Sequence, residues 1–200
     1  MMVSTAHRIV LPFFFILTSL AAYLFFSHVY APFPGVTPDE LTYQRQSFYP
    51  VDGQLGFGNL AFDLLYRQTL ECGQVWYTCV KSLNLGFAIG AAVLLASLFY
   101  ALVNSIVGAL VVFAVVLVSP LSVYSGYFMP DSMFAFAMIA TFVAFYALRN
   151  RGFWVWFSIA PALLATFVKP HAWIVFFFVA GISMLFLAIQ WLRKKGFDFL

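Results

Sequence analysis

Long apolar segments separated by short polar ones dominate the chain. A membrane-spanning helix needs about 20 mostly apolar residues, because each residue rises ~1.5 Å and the hydrocarbon layer is ~30 Å thick. Ser82–Leu121 carries no charge and is about twice that length, so it must fold back, and Asn104-Ser105 is its main polar break. The pattern predicts a single all-α membrane module with about six transmembrane helices: Ile9–Tyr30, Ser82–Val103, Ile106–Leu121, Ser132–Leu148, Phe153–Val168 and Ala172–Leu192.

The composition supports a membrane protein. Apolar residues make up 64% of the 200 residues and charged residues 8%, far from the ~45–50% and ~25% of soluble domains. A water-soluble fold of this size cannot bury so much apolar surface, which excludes cytosolic enzymes and nucleic-acid binders. Within the predicted spans, Gly86 and Gly90 favour close approach of another helix, and Pro161 predicts a kink.

The distribution of charge predicts an orientation. With the N-terminus in the cytoplasm, six basic residues fall inside and four outside, in agreement with the positive-inside rule. All the acidic residues except Asp198 then lie outside. Cleavage of the first span as a signal peptide is a competing interpretation, and either choice leaves the long loop, residues 31–80, outside.

The outer loop has two notable features. Asn59–Glu71 places Asp63, Arg67 and Glu71 on one stripe, with leucines opposite, which predicts a short amphipathic helix. Such a helix would lie in the membrane interface or pack on the bundle as an ordinary loop helix. Cys72 and Cys79 follow, with six residues between them. They form either a disulfide clamp or two small apolar side chains.

Three segments bring ionisable residues to the outer boundary of the membrane. They are Thr37–Tyr43, which contains Asp39 and Glu40, then Met129–Ser132, which contains Asp131, and Lys169–His171. Groups at this boundary can meet a lipid headgroup on one side and an aqueous substrate on the other.

Each of these residues also has a purely structural interpretation. Glu40 completes a capping box with Thr37, and Asp131 caps the fourth span. Lys169 reaches towards the interface from the end of the fifth span. His171 alone is weak evidence for any role. Because the capping box does not need Asp39, this residue is the better catalytic candidate.

The order of these segments resembles polytopic glycosyltransferases of the GT-C class, especially the protein mannosyltransferase and lipid A aminoarabinose transferase group. Enzymes of that class usually continue through further spans, so the resemblance implies a fragment, a minimal member or half of an assembly. The likeness is carried, in chain order, by Pro38–Tyr43, Val80–Leu85 with Leu98–Leu102, Ser119–Ser132 and Leu163–Pro170.

The resemblance implies an enzyme of the bacterial inner membrane that takes a sugar from a polyprenyl phosphate on the outer side. Asp39 would be the general base and Glu40 would assist it or bind the acceptor, which is a glycan, a lipid or a protein. Lys169, His171 and Arg45 would bind the donor phosphate. Asp131 would orient a base or bind sugar hydroxyls.

The cofactor and the function class stay open at this stage. No cofactor is certain, although a divalent cation near Asp39 and Asp131 fits the residue types. A non-catalytic membrane subunit or scaffold is one alternative, in which the acidic residues are helix caps. A transporter of a lipid-linked solute is another, but such proteins usually have mid-membrane ionisable sites and repeated halves. A further segment or partner chain is expected in either case, and nucleic acid is not.

Overall fold

The protein is described by a computed structural model that covers residues 16–25, 42–43, 60–119, 130–149, 152–169 and 172–194. These residues form helices and turns, with no strand among them. The helices are α1 (Ile16–Phe25), α2 (Leu60–Arg67), α3 (Trp76–Val103), α4 (Ile106–Leu117), α5 (Asp131–Leu148), α6 (Ile159–Val168) and α7 (Trp173–Lys194). Two 3₁₀ segments, Gln68–Val75 and Gly152–Ser158, precede α3 and α6.

The described part of the chain contains three helices that are long and apolar enough to cross a membrane: Trp76–Val103, Asp131–Leu148 and Trp173–Leu192. The prediction of an all-helical membrane protein is therefore confirmed, while about six spans are not. The helices of the other predicted spans are shorter, namely Ile16–Phe25, Ile106–Leu117 and Trp154–Val168, although most of the first predicted span lies outside the described residues.

α3 and α4 form a tight antiparallel hairpin. The predicted break at Asn104-Ser105 is confirmed, because α3 ends at Val103 and α4 begins at Ile106. Asn104 takes the left-handed conformation that reverses the chain, with φ 54°. The Ser105 hydroxyl accepts a hydrogen bond from the Gly108 amide at 3.1 Å and so caps α4. A Cβ atom on Gly108 would lie 2.4 Å from the ring of Phe99, so the two helices meet closely here.

α5 packs against α3 and runs parallel to it. A Cβ atom on Gly90 would lie 2.8 Å from the ring of Phe136, which also contacts Phe87 with 5.5 Å between ring centroids. The predicted close approach is confirmed at Gly90 but not at Gly86, where the same Cβ would meet nothing within 4 Å. Small side chains along α3 make this contact close.

α6 runs antiparallel to α5. α7 packs along α6 and runs in the opposite direction to it. Gln190 on α7 donates a hydrogen bond to the carbonyl of Arg149, just after α5, at 3.3 Å. The predicted fifth span is not one continuous helix, because its first half is 3₁₀ and α6 begins at Ile159. Pro161 lies in the first turn of α6, where the missing N–H costs little, so it follows the change of helix type instead of kinking an α-helix.

α3 begins earlier than predicted, at Trp76 instead of Ser82. Its 28 residues extend about 42 Å, which exceeds the ~30 Å hydrocarbon core but matches the full bilayer with its headgroup layers. The first turns of α3 are therefore expected in a headgroup region. We call the end of the bundle at which α3 and α5 begin and α6 ends the polar end.

Candidate functional site

Seven polar side chains are concentrated at the polar end, and five of them are almost completely buried within the protein. They come from α2, from the first turns of α3 and α5, and from the residue after α6. This polar cluster consists of Asp63, Tyr66, Lys81, Asn84, Asp131, Ser132 and Lys169.

Asp131 and Lys169 form the ionic centre of the polar cluster. The Lys169 Nζ atom lies 2.6 Å from Asp131 Oδ1, across 38 residues of sequence. The side chain of Lys169 is 19% exposed and that of Asp131 is 38% exposed, so the protein does not fully enclose either group. Lys169 Nζ also lies 5.5 Å from the ring centroid of Phe134, within the range of a cation–π interaction.

This geometry changes the structural interpretations of both residues. Pro130 occupies the N-cap position of α5, and Asp131 is the first helical residue. Asp131 is therefore not the N-cap that its purely structural interpretation required. Lys169 is not a lone interfacial cation, because its ammonium group donates to Asp131.

Lys81 is a second cation at this end, and sequence reasoning did not assign it a role. Its side chain is only 4% exposed, and its Nζ has no hydrogen-bond partner within the described residues. The hydroxyl of Ser132, next to Asp131, is buried and equally without a partner in that part of the chain. A buried polar group without a partner is costly, and it therefore marks a place where a ligand or water can bind.

The signal for Lys81 was present in the sequence. Lys81 and Asn84 are three residues apart, one helical turn, and both lie on the buried face of α3. The prediction began the span at Ser82 and so placed Lys81 just outside it. In the structure Lys81 lies in the second turn of α3.

α2 differs from the predicted amphipathic helix. Asp63 and Tyr66 are fully buried, whereas Leu64 and Arg67 are exposed. The helix packs on α6, so the packed alternative is the one that the structure shows. The expectation that Asp63 faces water is wrong, because the short helix turns its Asp63–Tyr66 side to the bundle.

Tyr66 connects α2 to the rest of the polar cluster. Its hydroxyl donates a buried hydrogen bond to Asn84 Oδ1 on α3. Its ring belongs to an apolar group with Val80, Met133 and Val168, each next to or within two residues of a charged member of the polar cluster. Burial, with a smaller contribution from the Asp131 carboxylate, raises the pKa of Tyr66 above its ordinary value. Tyr66 therefore stays protonated and able to donate at neutral pH.

A disulfide between Cys72 and Cys79 follows α2. It links the first 3₁₀ segment to the first turn of α3, and Gly73 between the two cysteines has φ 62°, which glycine adopts without strain. Of the two alternatives for these cysteines, the structure shows the clamp. The bond fixes the connection between α2 and α3.

Asp39, Glu40, Arg45 and His171 lie outside the described residues. Tyr43, three residues after Glu40 in sequence, is described and packs against the apolar group around Tyr66. The described residues contain no group of three or more His, Cys, Asp or Glu side chains that could hold a metal ion.

The polar cluster combines cations with carboxylates beside an apolar bundle. Lys81 and Lys169 can bind an anion such as a phosphate, while Asp131 can accept hydrogen bonds from hydroxyl groups. Comparison with protein families, with curated proteins and with solved structures finds no match for this chain.

Proposed function

We propose that the chain is a membrane glycosyltransferase, or the catalytic N-terminal module of one, which transfers a sugar from a polyprenyl phosphate to an acceptor hydroxyl. The observation that carries this proposal is the Lys169–Asp131 contact at the polar end of an apolar bundle, the same end that holds the buried Lys81, whose amino group has no hydrogen-bond partner among the described residues. A lipid-linked phosphate needs this combination, because its anionic head must bind cations while its chain stays in an apolar layer.

The reaction assigns a task to each group. The acceptor oxygen attacks the anomeric carbon of the sugar, and the bond from that carbon to the phosphate oxygen breaks. The proton of the acceptor passes to a carboxylate, for which Asp39 is the candidate, with Glu40 assisting. The polyprenyl phosphate leaves with the bonding electron pair, and Lys169 and Lys81 stabilise its growing charge. Asp131 orients Lys169 or binds a sugar hydroxyl, and Arg45 and His171 remain further candidates for the phosphate.

The disulfide supports an outer location for the polar end. Disulfides persist in oxidising compartments and are rare in the cytosol. Cys72–Cys79 ties the end of the loop to the first turn of α3, and this supports the proposal that the loop and the polar end lie on the outer side. We propose an integral protein of the bacterial inner membrane with a cytoplasmic N-terminus.

A non-catalytic scaffold is the second candidate, and the ion pair itself favours it. Asp131 and Lys169 satisfy each other, as a purely structural tie between α5 and α6 would do. Lys81 and Ser132 favour the enzyme, because their buried polar atoms have no partner among the described residues and so suit a bound ligand better than a scaffold.

The test uses membrane vesicles from cells that express the full chain. Each of a panel of polyprenyl-phosphate sugars, labelled in the polyprenyl chain, is added, and the release of free polyprenyl phosphate is measured. This product forms whatever the acceptor is. Asp39→Asn is expected to lower the release by about 10²–10⁴-fold, the usual contribution of a positioned base, and Glu40→Gln by less.

Matched variants separate catalysis from general damage. Lys169→Met is expected to lower the release, while Lys194→Met, at the opposite end of the bundle, leaves it unchanged. The exposed Glu71 gives a control carboxylate through Glu71→Gln. Release that stays at the wild-type rate in Asp39→Asn refutes the assigned base. The absence of release above empty vesicles with every donor refutes the proposed activity and leaves the scaffold.

A further inference from the structure

We infer that Tyr66 is a positioning residue. Through its bond to Asn84 it holds α2 over the Asp131–Lys169 pair, and the position of α2 sets how far the two charged groups are open to water. The inference concerns the site of the proposed function. Its consequence for sugar transfer depends on that function, but the geometry does not.

The first argument is the length of α2. A helix of eight residues is not stable alone in water, so its position depends on its docking contacts. Tyr66 and Asp63 are fully buried, and Ala61 and Leu65 pack against the same apolar group as the Tyr66 ring. Tyr66 is the one of these residues whose hydroxyl bonds to α3. Thr69, just beyond α2, donates to the Tyr66 carbonyl at 2.6 Å and fixes the end of the helix.

The second argument is what the Tyr66 ring contacts. The ring packs in one group with Met133 and Val168. Met133 is two residues after Asp131, and Val168 directly precedes Lys169. A displacement of Tyr66 therefore removes the apolar cover from the segments that hold the two charged groups.

The third argument is the bond between the hydroxyl and Asn84. Both residues are fully buried, so loss of the donor removes a buried hydrogen bond from the Asn84 amide oxygen. Movement of α2 away from α3 lets water reach that oxygen. The disulfide after α2 stays intact in this movement, so the opening is local and does not require the protein to unfold.

The test measures how fast Lys169 reacts with a water-soluble N-hydroxysuccinimide ester in purified, detergent-solubilised protein at fixed pH. Peptide mass spectrometry reads the acylation of Lys169, with the peptide that carries Lys194 as internal standard. Tyr66→Phe keeps the ring and removes the donor, and it is expected to raise the Lys169 rate by about 2- to 10-fold, the effect of losing one buried hydrogen bond. The matched control is Tyr100→Phe, at the end of α3 away from the polar end, and it is expected to leave the Lys169 rate unchanged.

The double variant separates the bond from mere packing. In an Asn84→Leu background, Tyr66→Phe is expected to change the rate less than twofold, because the partner is already absent. An equal acceleration in both backgrounds would show a packing defect and overturn the inference. An unchanged Lys169 rate in Tyr66→Phe would overturn it as well. Neither result depends on transfer of a sugar. The release assay tests the proposed function separately, so the function and this inference can each fail on their own.

Discussion

Two lysines at the polar end are expected to respond in opposite ways to the same substitution. Lys81 is 4% exposed and its amino group has no partner among the described residues, whereas Lys169 donates to Asp131. Methionine keeps the unbranched stem of lysine, has a similar helix propensity and removes only the polar head. The variants Lys81→Met and Lys169→Met therefore compare an unpaired with a paired ammonium group.

The expected magnitudes follow from burial and pairing. A buried polar group without a partner costs about 1–3 kcal/mol, so Lys81→Met is expected to raise the free energy of unfolding by that amount. Lys169→Met removes the cation from Asp131, whose side chain is 38% exposed and can turn to water. Its expected effect is a loss of up to about 1 kcal/mol, as for an ion pair near the surface.

The assay is unfolding of the purified protein by SDS in mixed micelles, followed by tryptophan fluorescence at neutral pH. The same two variants are then tested for polyprenyl phosphate release, where both are expected to lose activity. A protein that becomes more stable and less active on Lys81→Met would indicate a residue kept for binding. If Lys81→Met instead destabilises the protein by about 3 kcal/mol or more, Lys81 is held by a partner, and its assignment to the donor phosphate is refuted.

Three further predictions test the fold around the site. Gly90→Ala is expected to be about 1–3 kcal/mol less stable than Gly86→Ala in the same unfolding assay, because only the first places a methyl group against the Phe136 ring. Equal stability of the two would contradict the close α3–α5 contact. Ser105→Ala removes the cap of α4 and is expected to cost about 1 kcal/mol, and a loss below 0.3 kcal/mol would argue against the capping bond. Cys79→Ser is expected to speed proteolysis between α2 and α3 at least severalfold, and reducing agent should do the same to the wild type but not to the variant.

The hairpin and the general helical architecture could be predicted because simple lengths decide them. An apolar run twice as long as a bilayer is thick must reverse, and Asn104-Ser105 offers the residue types that reverse and cap a chain. Asp131 and Lys169 could be expected at the same end, because Asp131 precedes one span and Lys169 follows the next. The start of one span and the end of the next lie on the same side of the membrane. Their direct contact at 2.6 Å depends on packing that the sequence does not display.

The role of Tyr66 could not be read from local patterns, and the spacing of Lys81 to Asn84 is informative only once the start of α3 is known. α2 has a polar stripe and an apolar stripe, and its orientation depends on which stripe finds a partner on α6 and α3. The Tyr66–Asn84 bond is one contact of the orientation that α2 adopts, and it joins residues 18 positions apart. The prediction placed Lys81 outside the second span. Hydropathy alone sets the start of that span too late, because α3 already begins in the turn closed by the disulfide.

The two-residue connection between α3 and α4 also has a consequence for the order of folding. The contacts within the hairpin join residues that are near in sequence, so they form at little cost in chain entropy. Those at the polar end, such as Tyr66 with Val168, must wait until α5 and α6 have been synthesised and packed. Substitutions in the hairpin are therefore expected to slow folding, while substitutions at the polar end mainly accelerate unfolding. The site is expected to form last and to open first.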